Sequence, residues 1–278
     1  MSYKSILVHA CESPSAQLRY RLAAHIALAE GAQLTGIALS GVTEFIYQCG
    51  AAGAVLPTVF EDFSFLTEGA ERALAEFSSS VRETGLSAVQ TVLVDDGAAH
   101  GLPLAARYGD LLVLGQSHSP AALVADGHAL VRALLVHAPC PVLVVPPALA
   151  DCSLPQRPLI AWDGSLEASR AVRAALPLLR RAGQVAAVTF NAPKYDGGAD
   201  SIDARLAAYL ACHGIALDIV DGGAVDDAGA ALLALAQARA RDLIVMGSFG
   251  HSRFREIVLG GVTQTVLRES TLPLLMAR

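Results

Sequence analysis

The run Asp242-Leu243-Ile244-Val245-Met246 is apolar after its first residue and closes on Gly247-Ser248-Phe249-Gly250. After nine more residues comes Gly260-Gly261-Val262-Thr263, and Val262 to Glu269 reads as a helix that begins on glycines. A buried strand feeding a glycine-rich loop and then a helix start suits an anion such as a phosphate. Glycines let backbone N–H groups approach closely, and the first helical turn adds unpaired donors and a positive dipole end. The competing reading is a tight strand-to-helix turn with no ligand; the tie of the glycines to a strand end and a helix start keeps the phosphate site open.

The same pattern occurs earlier in the chain. Gly-Asp-Leu-Leu-Val-Leu-Gly at 109–115 mirrors Arg-Asp-Leu-Ile-Val-Met-Gly at 241–247, and Gly115 to Pro141 is the same interval as Gly247 to Pro273. Strand and helix patterns alternate on either side of a proline-rich stretch from Pro146 to Pro158. In the first half, strands are predicted at 4–11, 32–39, 89–94, 110–114 and 141–145, with helices at 16–30, 60–83, 100–108 and 129–137. The segment between Leu39 and Phe60 is too irregular to assign. In the second half, strands are predicted at 159–163, 185–190, 216–220, 242–246 and 272–276, with helices at 165–182, 201–213, 227–239 and 262–269. The chain thus reads as a tandem duplication, with domains at 1–147 and 158–278 and a linker at 148–157.

Strands this short and this continuously apolar belong in a parallel sheet covered by helices on both faces. Right-handed crossovers make each half a doubly wound α/β domain of five parallel strands. Ligands of such sheets sit at the carboxyl ends of the strands where the strand order reverses, which is where the 247–263 loop must lie. The last strand of each half, at 142–145 and 272–276, is an apolar edge candidate that needs a partner.

Composition narrows the function classes. The chain has 278 residues, 53% hydrophobic and 17% charged, with a net charge of -6. That balance describes a globular core and argues against nucleic acid or an anionic membrane as a partner. No apolar run reaches transmembrane length, and Met1-Ser2-Tyr3-Lys4 leads into a strand rather than a signal peptide. The five cysteines (Cys11, Cys49, Cys140, Cys152, Cys212) are scattered without disulfide or metal spacing, so a reduced, cytoplasmic protein is expected.

Around the glycine loop, Ala161, Trp162 and Asp163 end the first strand of the second half, across the crevice from Met246, Gly247, Ser248 and Gly250. The Asp163 carboxylate could accept from ribose hydroxyls or an adenine amino group, or hold Mg²⁺; it could equally begin a helix cap with Gly164-Ser165. Gly260, Gly261 and Val262 would turn their N–H groups toward phosphates, with the Thr263 hydroxyl as a further donor. His251 and Arg253, with Arg255, lie between the glycines, as a lid over the outer phosphates or as an ordinary solvated loop.

Asp163 after a first strand, followed by Gly247-x-x-Gly250-x₉-Gly260 and a nearby polar residue, resembles the universal stress protein family. Thr271-Leu272-Pro273-Leu274-Leu275 and Ala138 to Val145 are similar to its closing strand. The resemblance spans nearly the whole chain as two tandem domains. It implies a Rossmann-like fold of the adenine nucleotide alpha hydrolase type and, where the glycine motif is present, binding of ATP, with or without Mg²⁺. It also implies an adenine contact near Phe190, and that the closing strands pair domains, which a tandem chain can satisfy internally as a pseudo-dimer, with a homodimer as further assembly. The family pattern has Ser or Thr after the third glycine; here Gly261 removes that hydroxyl, and Thr263 replaces it only in part.

The first half departs further. Cys11 stands for Asp163, His118 for Gly250, Pro120 interrupts the loop, and Gly127 is out of register for the last helix. It is therefore expected not to bind nucleotide. Of the possible metal ligands His9, Cys11 and His118, only His9-x-Cys11 is a close pair, and packing is the expected role of these residues. For the whole chain three functions compete: an ATP-binding stress regulator with little or no catalysis, a slow ATP hydrolase using His251 or Glu256, and a nucleotide-free scaffold. No Walker-type Gly-Lys-Ser/Thr is present.

Overall fold

The computed structural model of the protein describes residues 2–51, 64–116, 128–149, 151–191, 201–248 and 260–278. They fall into two compact units, Tyr3–Cys140 and Pro141–Arg278. The first unit runs β1 (Ser5–His9), α1 (Ala16–Glu30), β2 (Gln33–Leu39), α2 (Val42–Ala51), α3 (Ser64–Arg82), β3 (Val89–Val94), α4 (Ala98–Ala106), β4 (Leu111–Gly115) and α5 (Ala129–His137). The second runs β5 (Val142–Val145), β6 (Pro158–Ala161), α6 (Leu166–Leu179), β7 (Val185–Thr189), α7 (Ile202–Cys212), β8 (Leu217–Asp221), α8 (Ala228–Ala238), β9 (Leu243–Gly247), α9 (Gly261–Glu269) and β10 (Leu274–Ala277).

Strands of the first unit are ordered β3-β2-β1-β4, all parallel. Those of the second are ordered β5-β10-β9-β6-β7-β8, parallel from β10 to β8. β5, which the repeat assigns to the first copy, lies in the second unit, antiparallel to β10 with Leu143 opposite Leu275. The two apolar closing strands expected to need partners are therefore partners of each other.

Burial follows position in the sheet. β4, β5, β9 and β10 are buried almost throughout, as the continuous apolar runs require. The outer strands β3 and β8 are largely exposed, with Val92 at 42% and Ile219 at 44%. β8 carries Asp218 and Asp221, charges that discourage a further strand from adding to that edge.

The duplication recurs in side-chain detail. Asp110 Oδ2 accepts from the Lys4 and Ser5 amides at 2.7 and 3.0 Å. Asp242, its copy, accepts from the Gln156 amide at 2.7 Å and the Arg157 amide at 2.8 Å. Asp110 thus ties the entry of β1 to that of the neighbouring β4, and Asp242 the entry of β6 to that of β9, which is what the Asp before each repeated apolar run is for. Beyond the strand ends, Ala10 N–H donates to Ile37 O and Trp162 N–H to Val188 O, at 2.8 and 2.9 Å.

One local expectation differs from the structure. The irregular segment after Leu39 contains α2, which starts behind Gly41 in the left-handed region (φ +71°); its glycines and short length hid the helical spacing. At the start of α1, Ser15 makes no side-chain bond to the helix: the Ser13 carbonyl accepts from Ala16 N–H, and the Ser13 and Ser15 hydroxyls lie 3.3 Å apart. In the second unit Ser165, Ser201 and Asp227 do cap their helices through side-chain oxygens.

Candidate functional site

In the second unit the chain leaves β6 toward β7 on one side, while β9 lies on the other. A cleft of about 540 Å³ opens at the carboxyl ends of these strands. β6 ends in Ala161-Trp162-Asp163 on its wall, β9 in Met246-Gly247, and β7 in Val188-Thr189-Phe190. The start of α9, Gly260 to Thr263, lines the same cleft. A crevice at the strand switch point, within the ordinary volume range of small-molecule sites, is where this architecture receives ligands.

The donors at α9 arise from what the sequence leaves out. Gly260 occupies the cap position and has no side chain to turn back on the helix. The N–H groups of Gly261, Val262 and Thr263 therefore stay available at the positive end of the helix dipole. The Thr263 side chain is buried, lines the cleft and makes no hydrogen bond to any described residue. The same lining carries two acidic residues from the β6 side, Asp163 and Glu167. Asp163 Oδ1 accepts from Ser165 N–H at 2.9 Å, and Ser165 Oγ accepts from Ala168 N–H at 3.1 Å, so the turn after β6 is tied to the start of α6. Glu167, in the first turn of α6, also lines the cleft.

Gly247 is required by packing. A Cβ there would stand 2.6 Å from Ala168 N and 2.7 Å from Glu167 C, so the start of α6 rests directly on the end of β9. This glycine brings Asp163, Glu167 and the β9 end together; its role is helix-on-strand approach, in addition to any approach by a ligand.

The apolar floor comes from Val188, Phe190, Ile202 and Leu232. Phe190 lies so close to Gly222 that no side chain would fit there. Trp162 lines the cleft and donates its indole N–H to Ile202 O at 3.2 Å. Two polar residues of the lining are committed elsewhere. Thr189 donates to Asp203 Oδ1 at 2.6 Å. The Asn191 side chain both donates to Val225 O and accepts from Val225 N–H, at 3.0 and 2.9 Å, pinning a left-handed backbone (φ +54°).

The structure thus gathers Ala161, Trp162, Asp163, Phe190, Met246, Gly247, Gly260, Gly261, Val262 and Thr263 around one cleft. Ser248 is not on its wall: it is fully buried, and its N–H and hydroxyl both reach Ala277 O, at 2.9 and 3.2 Å. Gly250, His251 and Arg253 lie outside the described residues, as do Arg255 and Glu256. Sequence reasoning missed Glu167, Asn191, Ile202 and Leu232. Only Glu167 had a signal, an acidic residue in a capped first turn; the others reach the cleft through tertiary packing. Among the described residues no group of three or more His, Cys, Asp or Glu is placed to hold a metal ion.

In the first unit, Ile6 stands opposite Leu111 and in the second Pro158 opposite Leu243, so the register makes Cys11 the counterpart of Asp163. His128 caps α5 where Gly260 caps α9, and its Nδ1 lies 3.1 Å from Gln116 O. A ring and a thiol occupy the positions that in the second unit are a bare backbone and a carboxylate. His118, Pro120 and Gly127 lie outside the described residues.

Comparison with known proteins agrees with this architecture. A universal stress protein of Synechocystis is 26% identical over 219 residues, 75% of this chain and 72% of its own length. The crystal structure of a universal stress protein from Archaeoglobus fulgidus superposes with a TM-score of 0.68 at 15% identity, covering 98% of each chain. A structure described as a putative universal stress protein from Pseudomonas aeruginosa gives 0.57 at 18% identity, over 99% of this chain and 93% of that one. At such identities the solved structures share the fold. No helix among the described residues is long and apolar enough to cross a membrane. Residues 156–278, the half that carries the cleft at the β6–β9 switch point, match the Universal stress protein family.

Proposed function

We propose that the second unit binds an adenine nucleotide, ATP in the first instance, and that the protein acts as a nucleotide-responsive regulator with little or no catalysis. The observation that carries this reading is the pairing, across one cleft, of an uncapped helix start with the Asp163 strand end. The free N–H groups of α9 and the Thr263 hydroxyl suit the phosphates. Asp163 suits ribose hydroxyls, and the Phe190 side suits the flat apolar base. With no ready-made metal cluster among the described residues, Mg²⁺ would arrive with the triphosphate, and Asp163 and Glu167 are the carboxylates nearest to hand. As a ligand, ATP changes the protein by binding one conformation better than another.

Calorimetry tests this directly. One ATP is expected per chain, and Asp163→Ala and Thr263→Val should each weaken binding by about tenfold, equivalent to roughly 1.4 kcal/mol. Trp162 should report the same titration by fluorescence. Absence of both heat and fluorescence change in the intact protein would leave the scaffold reading standing. Phosphate release that outlasts one turnover would replace the regulator with a hydrolase.

A further inference from the structure

Arg19 of α1 is 1% exposed, yet no described carboxylate pairs with it. Its guanidinium lies 5.2 Å from the centroid of the Tyr20 ring, its Nη2 donates to Cys11 Sγ at 3.3 Å, and its Nε has no hydrogen-bond partner. A guanidinium keeps its charge under all ordinary conditions, and an uncompensated buried charge is costly to retain. Counting on from the strand register, the matching residues of α6 are Ala171 and Val172, both buried. The first unit therefore exchanges the carboxylate at its strand end for a sulfur and places a cation beneath it.

The sulfur is also held in place. Cys11 N–H donates to the Tyr20 hydroxyl oxygen at 3.1 Å, and that hydroxyl lies 3.3 Å from Cys11 O. Cys11 itself is only partly buried, so a small reagent can approach from solvent while Arg19 stays behind the sulfur.

We propose that Cys11 is a peroxide-reactive thiol, and that Arg19 stabilises both the attacking thiolate and the sulfenate it becomes. The thiol first gives its proton to solvent. The thiolate then attacks one oxygen of a hydroperoxide: the S–O bond forms as the O–O bond breaks. Sulfur is oxidised, the peroxide is reduced, and the departing hydroxide or alkoxide takes the proton of the new S–OH group, leaving as water or an alcohol and giving the sulfenate. The unpaired Nε and the Nη2 already on sulfur supply charge-assisted donors to the new S–O⁻ group. The first unit would then register oxidant at the position where the second unit has Asp163.

The test is a competition within the intact protein. Treated with less than one equivalent of hydrogen peroxide and trapped with a 1,3-dione, each cysteine is scored by peptide mass mapping. Cys11 is expected to be labelled ahead of the more exposed Cys212. Arg19→Met should slow Cys11 labelling by about tenfold, while Arg19→Lys, which keeps the charge, should restore most of the rate. Labelling of Cys11 no faster than Cys212, or a methionine variant that folds and reacts at the original rate, would overturn the proposal. If neither Arg19 variant folds, the ranking in the unaltered protein decides.

Discussion

One added methyl group distinguishes two glycines of the cleft. At Gly247 it would meet the Ala168 and Glu167 backbone at 2.6 and 2.7 Å, atoms that cannot rotate away. Gly247→Ala should therefore cost about 2 kcal/mol or more in urea unfolding, and it should weaken ATP binding by displacing the start of α6. At Gly261 an added Cβ meets nothing within 4 Å, and φ is not in the left-handed region. Gly261→Ser should fold at least as stably, since a helical glycine is unfavourable, and should tighten ATP binding by about threefold through the extra hydroxyl donor. Calorimetry on the two variants should give opposite signs. The sequence marked both glycines as phosphate-facing; the backbone contacts at Gly247 were invisible in it, because the α6 atoms concerned lie some eighty residues away in the chain.

At the scale of elements, β5 matters most. Its Val142, Leu143 and Val144 lie opposite Met276, Leu275 and Leu274. A fragment beginning at residue 158, the boundary drawn from the repeat, would leave the apolar β10 edge open, whereas one beginning at residue 141 keeps it paired. The longer fragment should be monomeric by light scattering; the shorter should self-associate and unfold at lower urea. The repeat located both closing strands, since each is an apolar run after a proline. It assigned β5 to the first copy, whereas β5 lies in the unit of β10: hydrogen bonding between edges leaves no trace in a single run of residues.

Across the molecule, several acidic protons are held by burial. Burial raises the Tyr3 and Tyr20 hydroxyls above their ordinary range and pushes the Cys140 thiol from 9.0 to about 11. Between those two values the folded chain holds a Cys140 proton that the unfolded chain has released. Stability present at lower pH is therefore lost as pH rises through this window, by roughly 1–2 kcal/mol from Cys140 alone between about pH 8 and about pH 10.5. Urea midpoints across that range should fall, and Cys140→Ala should flatten part of the fall. The alternation of strand and helix, the duplication, and the strand ends and glycines that line the β6–β9 crevice were determined by the sequence alone, because apolar period, caps and glycines act over a few neighbouring positions. Only the tertiary structure decided that Gly247 serves α6, that Ser248 turns to Ala277, that β5 joins β10, and that Arg19 lies against Cys11. Each of these depends on atoms brought together from distant stretches, and close packing, which no local pattern encodes, selects among them.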